Sequence, residues 1–421
     1  MGLTLRILFS VVVILGGCTL VQPPFSHAAH APPADGSDTA QAVKADPAHS
    51  KLSSKYTEGE FFNANGSKAS LSEVLALAQS SDYILIGETH NVTCDHIVQA
   101  KLIDALAASG SRFTVGLEMF SQDRQSKLDA VNDGSVPFAE FPKKVDWKDA
   151  WGFSYALYEP IIKALYAHSI PVFALNFPFK VAQKIGDEGV ESLTPEERQY
   201  LPKNPIPAMK EQEKELQKVH DEHVELMKKD KKNPKAAEVA KKSLAHYRQR
   251  FFLIQSMWDT GMAEQAVAVR KRTNLPMVIL SGTGHVEYGW GIAYRLFKLD
   301  PDAKVLTVVP WRNAAPFDEA KGDVQFYCPL IKQSRLGFVL RMETDGATIT
   351  AIKKDSVACK AGFCVGDKIV KVGGMDVESM MTLHRAGVKA SKEGKDMVFT
   401  IIRDGKEKTI SMPVPKHPHS S

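Results

Sequence analysis

Charge of a dominant sign is missing. The 53 Lys and Arg residues are nearly balanced by 49 Asp and Glu, leaving a formal net charge of +4 over 421 residues. There is no basic stripe interleaved with aromatics, so nothing favours a nucleic-acid partner. Cysteine is scarce, with five in the chain. An apolar core must therefore hold the fold, and 44% hydrophobic residues suffice for a large one. The length fits two domains plus appendages. The leading apolar run, Ile7 to Leu15 behind Arg6, is too short to span a bilayer as a mature helix and reads as a targeting core.

What is present is a short pattern used more than once. Tyr83-Ile84-Leu85-Ile86 runs straight into Gly87-Glu88-Thr89-His90. Such a continuous apolar run reads as a strand covered on both faces. Gly87 is expected to end it and turn the chain. A carboxylate and an imidazole then follow at the strand's carboxyl end, where open α/β sheets bind ligands. Met277-Val278-Ile279-Leu280 leads in the same way into Ser281-Gly282-Thr283-Gly284-His285, so Gly-x-x-His occurs twice. A third strand, Phe113 to Leu117, delivers Glu118.

Packing alone does not require two imidazoles and two carboxylates at three strand ends, and gathering them there is costly unless they are used. His90, Glu118 and His285 have donor atoms that suit zinc, iron and similar divalent ions. A metal with an open position would acidify a bound water, with Glu88 as base or further ligand. Without a metal, Glu88 or Glu118 would activate water beside a histidine. The bland alternative is that Glu88 and His90 cap a helix and bond neighbouring loops.

The surrounding pattern is strand, helix, strand: a parallel sheet with helices on both faces. Ser70 and Glu73 form a capping box before a helix with Val74, Leu75 and Leu77 on its apolar face. Asp95 to Ala108 reads as a helix with Ile97, Leu102, Ile103 and Leu106 turned inward. Tyr155 to Ala167 is a further helix, and Ile170 to Asn176 a strand. Residues 187 to 256 interrupt the rhythm with a helical hairpin, Met209 to Lys229 and Ala236 to Trp258. On its first helix Leu216, Val219, His220, His223, Leu226 and Met227 share a face. Two histidines and a methionine there could ligate haem iron or a metal, though each residue taken alone is better read as ordinary helix packing. A separate helix is expected from Trp258 to Arg272, and a last strand of the sheet at Lys304 to Val309.

Leu15-Gly16-Gly17-Cys18 resembles a bacterial lipobox, making 1–18 a lipoprotein signal peptide with Cys18 lipidated. Thr19 favours an outer-membrane anchor facing the periplasm. Residues 19–55 read as a flexible tether. Cys359 and Cys364 are close enough in sequence to pair, but sequence leaves connectivity open.

Residues 325–415 resemble a PDZ domain, a small mainly-β fold. Leu336-Gly337-Phe338 matches its carboxylate-binding loop, which implies a partner protein's C-terminal peptide adding a strand to the sheet edge. Met380 to Ala390 would wall the groove.

Ile86 to Asn91, Gly116 to Phe120, Trp258-Asp259 with Met262-Ala263, and Ser281 to Val286 together resemble the ChaN-like haem-binding lipoproteins of the Tiki/TraB and erythromycin-esterase-like superfamily. The resemblance covers roughly residues 56 to 315, within an α/β domain set at 56–320. It implies a periplasm-facing lipoprotein that binds haem for haem or iron uptake, as a homodimer enclosing the haem. It also implies a superfamily site of two Gly-x-x-His motifs and glutamates, used by some relatives for metal-dependent proteolysis or ester hydrolysis. His90, His285, Glu88 and Glu118 match that site. The haem ligands are not placed by the motifs; Tyr155, Tyr158, His220 and His223 are the candidates. Haem is therefore the expected cofactor, with a divalent metal and hydrolysis as the alternative.

Overall fold

The computed structural model describes residues 56–413 except 230–243, 313–315, 334–335 and 379. The expected signal peptide, Cys18 and the tether lie outside the described residues. Eight strands make the first sheet: β1 (Phe61–Asn63), β2 (Lys68–Ala69), β3 (Tyr83–Glu88), β4 (Thr114–Ser121), β5 (Val172–Asn176), β6 (Met277–Gly282), β7 (Val305–Trp311) and β8 (Val324–Tyr327). Their order is β2-β1-β8-β7-β3-β6-β4-β5. From β8 to β5 every neighbouring pair is parallel, and β1 and β2 add an antiparallel hairpin at one edge. This is the α/β class read from the sequence, with three strands more at one side than expected, β8, β1 and β2.

Helices cover both faces. Helices Leu71–Gln79, Thr93–Ala108 and Tyr155–Ala167 pack one face through Val74, Leu102, Ile103, Ile161 and Leu165. Helices Phe179–Glu188, Leu244–Thr273 and Ile292–Leu299 pack the other through Val181, Met257, Met262, Ala266 and Leu296. The Ser70–Glu73 capping box is present. Leu77 and Ile97 are exposed rather than inward; the inner faces of their helices carry Ala78 in one, and His96, Val98 and Gln99 in the other.

The inserted hairpin is Lys210–Lys229 followed by a helix that runs unbroken from Leu244 to Thr273. The expected break near Trp258 does not occur. Met257, Trp258, Met262, Ala263 and Ala266 are all buried on one core, and continuous burial outweighs the propensity cost of Gly261, about 1 kcal/mol. Among the described residues no helix is long and apolar enough to cross a membrane.

The second sheet is antiparallel and lies C-terminal to the first: β9 (Ile331–Gln333), β10 (Phe338–Glu343), β11 (Gly346–Ile352), β12 (Lys368–Val372), β13 (Met375–Asp376), β14 (Met397–Arg403) and β15 (Lys406–Met412), with helix Met380–Glu393. The order is β15-β14-β12-β11-β10-β9, with β13 on β12. Phe338, Ile349, Ile369, Phe399 and Ile401 form its own core. Because β8 belongs to the first sheet, the change of unit falls after Tyr327 rather than at residue 325.

A disulfide joins Cys94, at the start of helix Thr93–Ala108, to Cys328, just past β8, with Cα atoms 5.7 Å apart. Cys359 and Cys364 are free and exposed, so the pairing considered from their closeness in sequence is not made. The bridge spans 234 residues of chain. Its loss removes a long-loop constraint on the unfolded chain worth about 2–5 kcal/mol. Mapping of unreduced peptides should join Cys94 to Cys328 and leave Cys359 and Cys364 open to alkylation. Cys94→Ser with Cys328→Ser should unfold at clearly lower denaturant; an unchanged midpoint would contradict the assignment.

Candidate functional site

The sheet order places β3, β6 and β4 side by side, so their carboxyl ends meet. Register pairs Glu88 with Gly282 across β3 and β6, and Leu117 with Leu280 across β4 and β6. Gly87 does not end its strand. It lies inside β3, and its use is close approach: a Cβ there would sit 3.2 Å from Thr283 Cα. A side chain at this position would push the two Gly-x-x-His segments apart.

Glu88 is the hub of one group. Its Oε1 lies 2.5 Å from His90 Nδ1 and accepts the Tyr158 hydroxyl at 2.9 Å. His96 Nε2 stands 3.8 Å from the other oxygen. A second group centres on His285. Its Nδ1 is 2.6 Å from Asp259 Oδ1, and its Nε2 faces Glu118 at 3.6 Å. Glu118 Oε2 also accepts the Gly282 amide at 2.6 Å. Arg295, fully buried, lies 3.4 Å from Asp259 and donates to Gln212 at 2.8 Å; Gln212 in turn donates to Asp259. The first turn of the inserted hairpin is thus wired to His285.

A third, purely structural group holds the Thr89-His90 turn. Asp95 accepts the Thr89 amide and makes a two-pronged bond with the Arg312 guanidinium, which also reaches the Thr89 hydroxyl and the Cys328 carbonyl.

All of this is buried: Glu88, His90, Glu118 and His285 expose 1, 2, 3 and 5% of their surface. Burial pushes both imidazoles toward the neutral form, but the carboxylates prevail. Glu88, with Glu118 further off, raises His90 above its ordinary value of 6.5; Glu118 and Asp259 do the same for His285. Burial would raise Glu88, yet His90 and His96 hold it below the ordinary 4.5. Burial and Glu88 push the Tyr158 hydroxyl far up, so it stays a donor. Several atoms here have no hydrogen-bond partner: Glu88 Oε2, His90 Nε2, Ser281 Oγ and Thr283 Oγ1. Buried polar atoms of this kind call for a water or a guest.

The three expected metal ligands do not form a cage. His90 pairs off with Glu88, and His285 with Asp259 and Glu118, instead of converging on one point. Among the described residues no group of three or more His, Cys, Asp or Glu side chains is placed to hold an ion.

The haem-ligand candidates separate. Tyr158 is committed to Glu88. The Tyr155 hydroxyl is buried without a partner among Phe141 and Trp147, and burial raises its pKa, which disfavours an iron-binding phenolate. His220 lies on the inserted hairpin with its ring 5.6 Å from that of Phe251 and its Nδ1 3.0 Å from Asp221. The His223 side chain lies outside the described residues, although its backbone is in the same helix. In the smaller domain Leu336-Gly337-Phe338 forms the turn into β10. Its Gly337 has φ +100°, and a Cβ there would overlap Ser356 Cβ at 2.1 Å.

Sequence reading missed His96, Gln99, Arg295 and Arg312 as members of the network. Asp259 was visible, since Trp258-Asp259 is one of the motifs. The others had no signal beyond polarity on otherwise apolar faces.

A family model described as haem-binding uptake, Tiki superfamily, ChaN matches residues 74–296, more than half of the chain. A PDZ domain model matches residues 334–414. Among curated proteins no match is found. Similar solved structures include ChaN of Campylobacter jejuni, described for its cofacial haem binding, at 18% identity over 63% of this chain and 95% of that one, TM-score 0.48. The type III effector HopBA1 is similar at 9% identity over 61% and 92%, TM-score 0.35. An erythromycin esterase, a mutant of EreC in its open conformation, is similar at 12% identity over 73% and 88%, TM-score 0.35. The chain belongs to the ChaN family of the Tiki superfamily, a haem-binding domain here followed by a PDZ domain.

Proposed function

We propose that this protein binds haem on its inserted helical hairpin and serves haem or iron uptake in the bacterial cell envelope. The observation that carries the reading is the closure of the acid–imidazole cluster. Its imidazoles are already committed, His90 to Glu88 and His285 to Asp259 and Glu118. The hairpin offers the right donor class instead: an imidazole at His220 set against Phe251, with His223 one turn on in the same helix. Aromatic walls beside an imidazole suit a flat apolar ring with a central iron. Bound haem would supply the iron that is carried. His220 and His223 are the residues we assign to hold it; His220 is itself 2% exposed against Phe251, so the hairpin would part there to admit the ring, and a second copy of the chain is a natural cover for it.

Location follows the same logic. A disulfide between Cys94 and Cys328 fits an oxidising compartment. It supports export by the leading segment and a lipid anchor at Cys18 in the outer membrane, facing the periplasm. The PDZ domain would take the C-terminal peptide of a partner protein at Leu336-Gly337-Phe338.

Hydrolysis is the second reading. It is favoured by the unpartnered Glu88 Oε2 and His90 Nε2 beside two acid-held imidazoles. There Glu88 would act as base on a water, with His285 and Glu118 polarising the substrate.

Haem titration of the full chain should give a Soret band. His220→Ala should weaken binding about tenfold or more, the loss of one ligand bond at 1.4 kcal/mol per decade. Tyr155→Phe and Glu88→Gln should leave it unchanged. If Glu88→Gln abolishes haem binding and His220→Ala does not, the cluster and not the hairpin is the haem site. If purified protein cleaves an ester or peptide and Glu88→Gln stops it, the second reading is the better one.

The charge states give a pH signature. His90 and His285 are raised, so their contribution to stability is complete below about pH 6.5 and is lost as pH rises through the folded values. Glu88 is lowered, so its contribution is complete above about pH 4.5 and is lost on acidification. Denaturation midpoints should peak between those limits and fall above neutrality. His285→Gln should flatten the alkaline side; an equal slope in the variant would show that His285 is neutral in the folded protein.

A further inference from the structure

In the PDZ domain a guest peptide is expected to add as a strand to the free edge of β10 and to run toward the Leu336–Phe338 turn. In this chain that edge is taken. One side of β10 pairs with β11, from Phe338 opposite Ile352 to Glu343 opposite Gly346. The other pairs antiparallel with β9, through Val339–Gln333, Leu340–Lys332 and Arg341–Ile331. The Met342 amide extends the ladder by donating to the Leu330 carbonyl at 3.1 Å, and Leu330 packs against the domain's core. The direction is the guest's own: the linker climbs from residue 331 opposite 341 to residue 333 opposite 339, toward the turn.

That turn is meanwhile set in shape. The Leu336 carbonyl accepts the Ala358 amide at 2.9 Å, and the Gly337 carbonyl accepts the Lys353 amide at 2.6 Å. The linker begins at Cys328, which the disulfide fixes to the larger domain. So β9 is a short strand, held at one end by the disulfide and at the other by the turn that leads into β10.

We infer that residues 330–333 are a built-in pseudo-ligand, and that a guest C-terminus binds the PDZ domain only by displacing β9 from β10 in a strand exchange. This rests on the peptide-binding reading of the domain. A ladder of only three residue pairs is short, and a guest that adds a C-terminal carboxylate at the Leu336–Phe338 turn gains a contact that an internal segment cannot make. Exchange also frees the linker between the two domains, so guest binding loosens their connection.

The test uses the full chain and a fluorescein-labelled decapeptide ending in valine, as free carboxylate and as C-terminal amide. Lys332→Pro removes a ladder donor and should loosen β9; Lys332→Ala keeps the backbone and serves as control. We expect the free-acid peptide to bind Lys332→Pro about tenfold tighter than the parent and Lys332→Ala. In the parent, saturating peptide should speed hydrogen exchange of the 330–333 amides. This second readout needs no variant and stands even if the proline variant misfolds. Equal affinity in all three proteins, with 330–333 still protected under bound peptide, overturns the latch while leaving peptide binding intact. Absence of binding in both the parent and a folded proline variant overturns the peptide reading and the latch with it.

Discussion

Two buried carboxylate–imidazole pairs, Glu88 with His90 and Asp259 with His285, carry the architecture of the larger domain. Each ion taken from water costs several kcal/mol, and the loss is offset only by a close partner and further hydrogen bonds. Here the partners come from elements far apart in the chain. Tyr158 reaches Glu88 from one covering helix, and Arg295 and Gln212 reach Asp259 from two others. The pairs therefore fasten the carboxyl ends of β3, β4 and β6 to the helices on both faces. They also explain why Gly87 must be small, since the two Gly-x-x-His segments touch there.

The same network bears on function by what it prevents. Side chains that satisfy one another in a closed cluster are poorly placed to grip a large flat ligand, yet the few orphan atoms among them leave space in the chemistry for a water or a small group. The inserted hairpin sits outside that closure but is tied to it, because Gln212 in its first turn bonds both Asp259 and Arg295. A ligand seated on the hairpin would thus press on the group that orients His285. The PDZ domain is connected differently, through the linker that starts at Cys328 and continues as β9.

Much of this was legible in the residues. Apolar runs ending in Gly-Glu-Thr-His and Gly-Thr-Gly-His mark buried strands with polar ends, and parallel strands put such ends on one side. The Ser70 capping box and the Tyr155–Ala167 helix follow from local rules that tertiary packing did not disturb. Other features depend on packing that a linear reading does not contain. Gly87 and Gly261 look like breaks, but one permits close approach and the other lies in a helix that its core keeps unbroken. Ile97 faces solvent while His96 and Gln99 are buried beside Val98 and Leu102, because they bond the backbone carbonyls of His90 and Ile86. The Cys94–Cys328 bridge needed β8 to be recognised as part of the first sheet. The strand ends that carry His90, Glu118 and His285 lie on neighbouring strands, but their pairing into two separate acid–imidazole groups was not anticipated.

The most direct test of where the ligand sits is the iron position itself. Crystals of the haem-loaded protein, measured at the iron absorption edge, should show the anomalous peak within ligand distance, on the order of 2 Å, of a hairpin imidazole, with the Glu88–His90 and Asp259–His285 pairs intact. An iron peak at ligand distance from His90, Glu118 or His285 would contradict the account, because the cluster would then open to hold the metal.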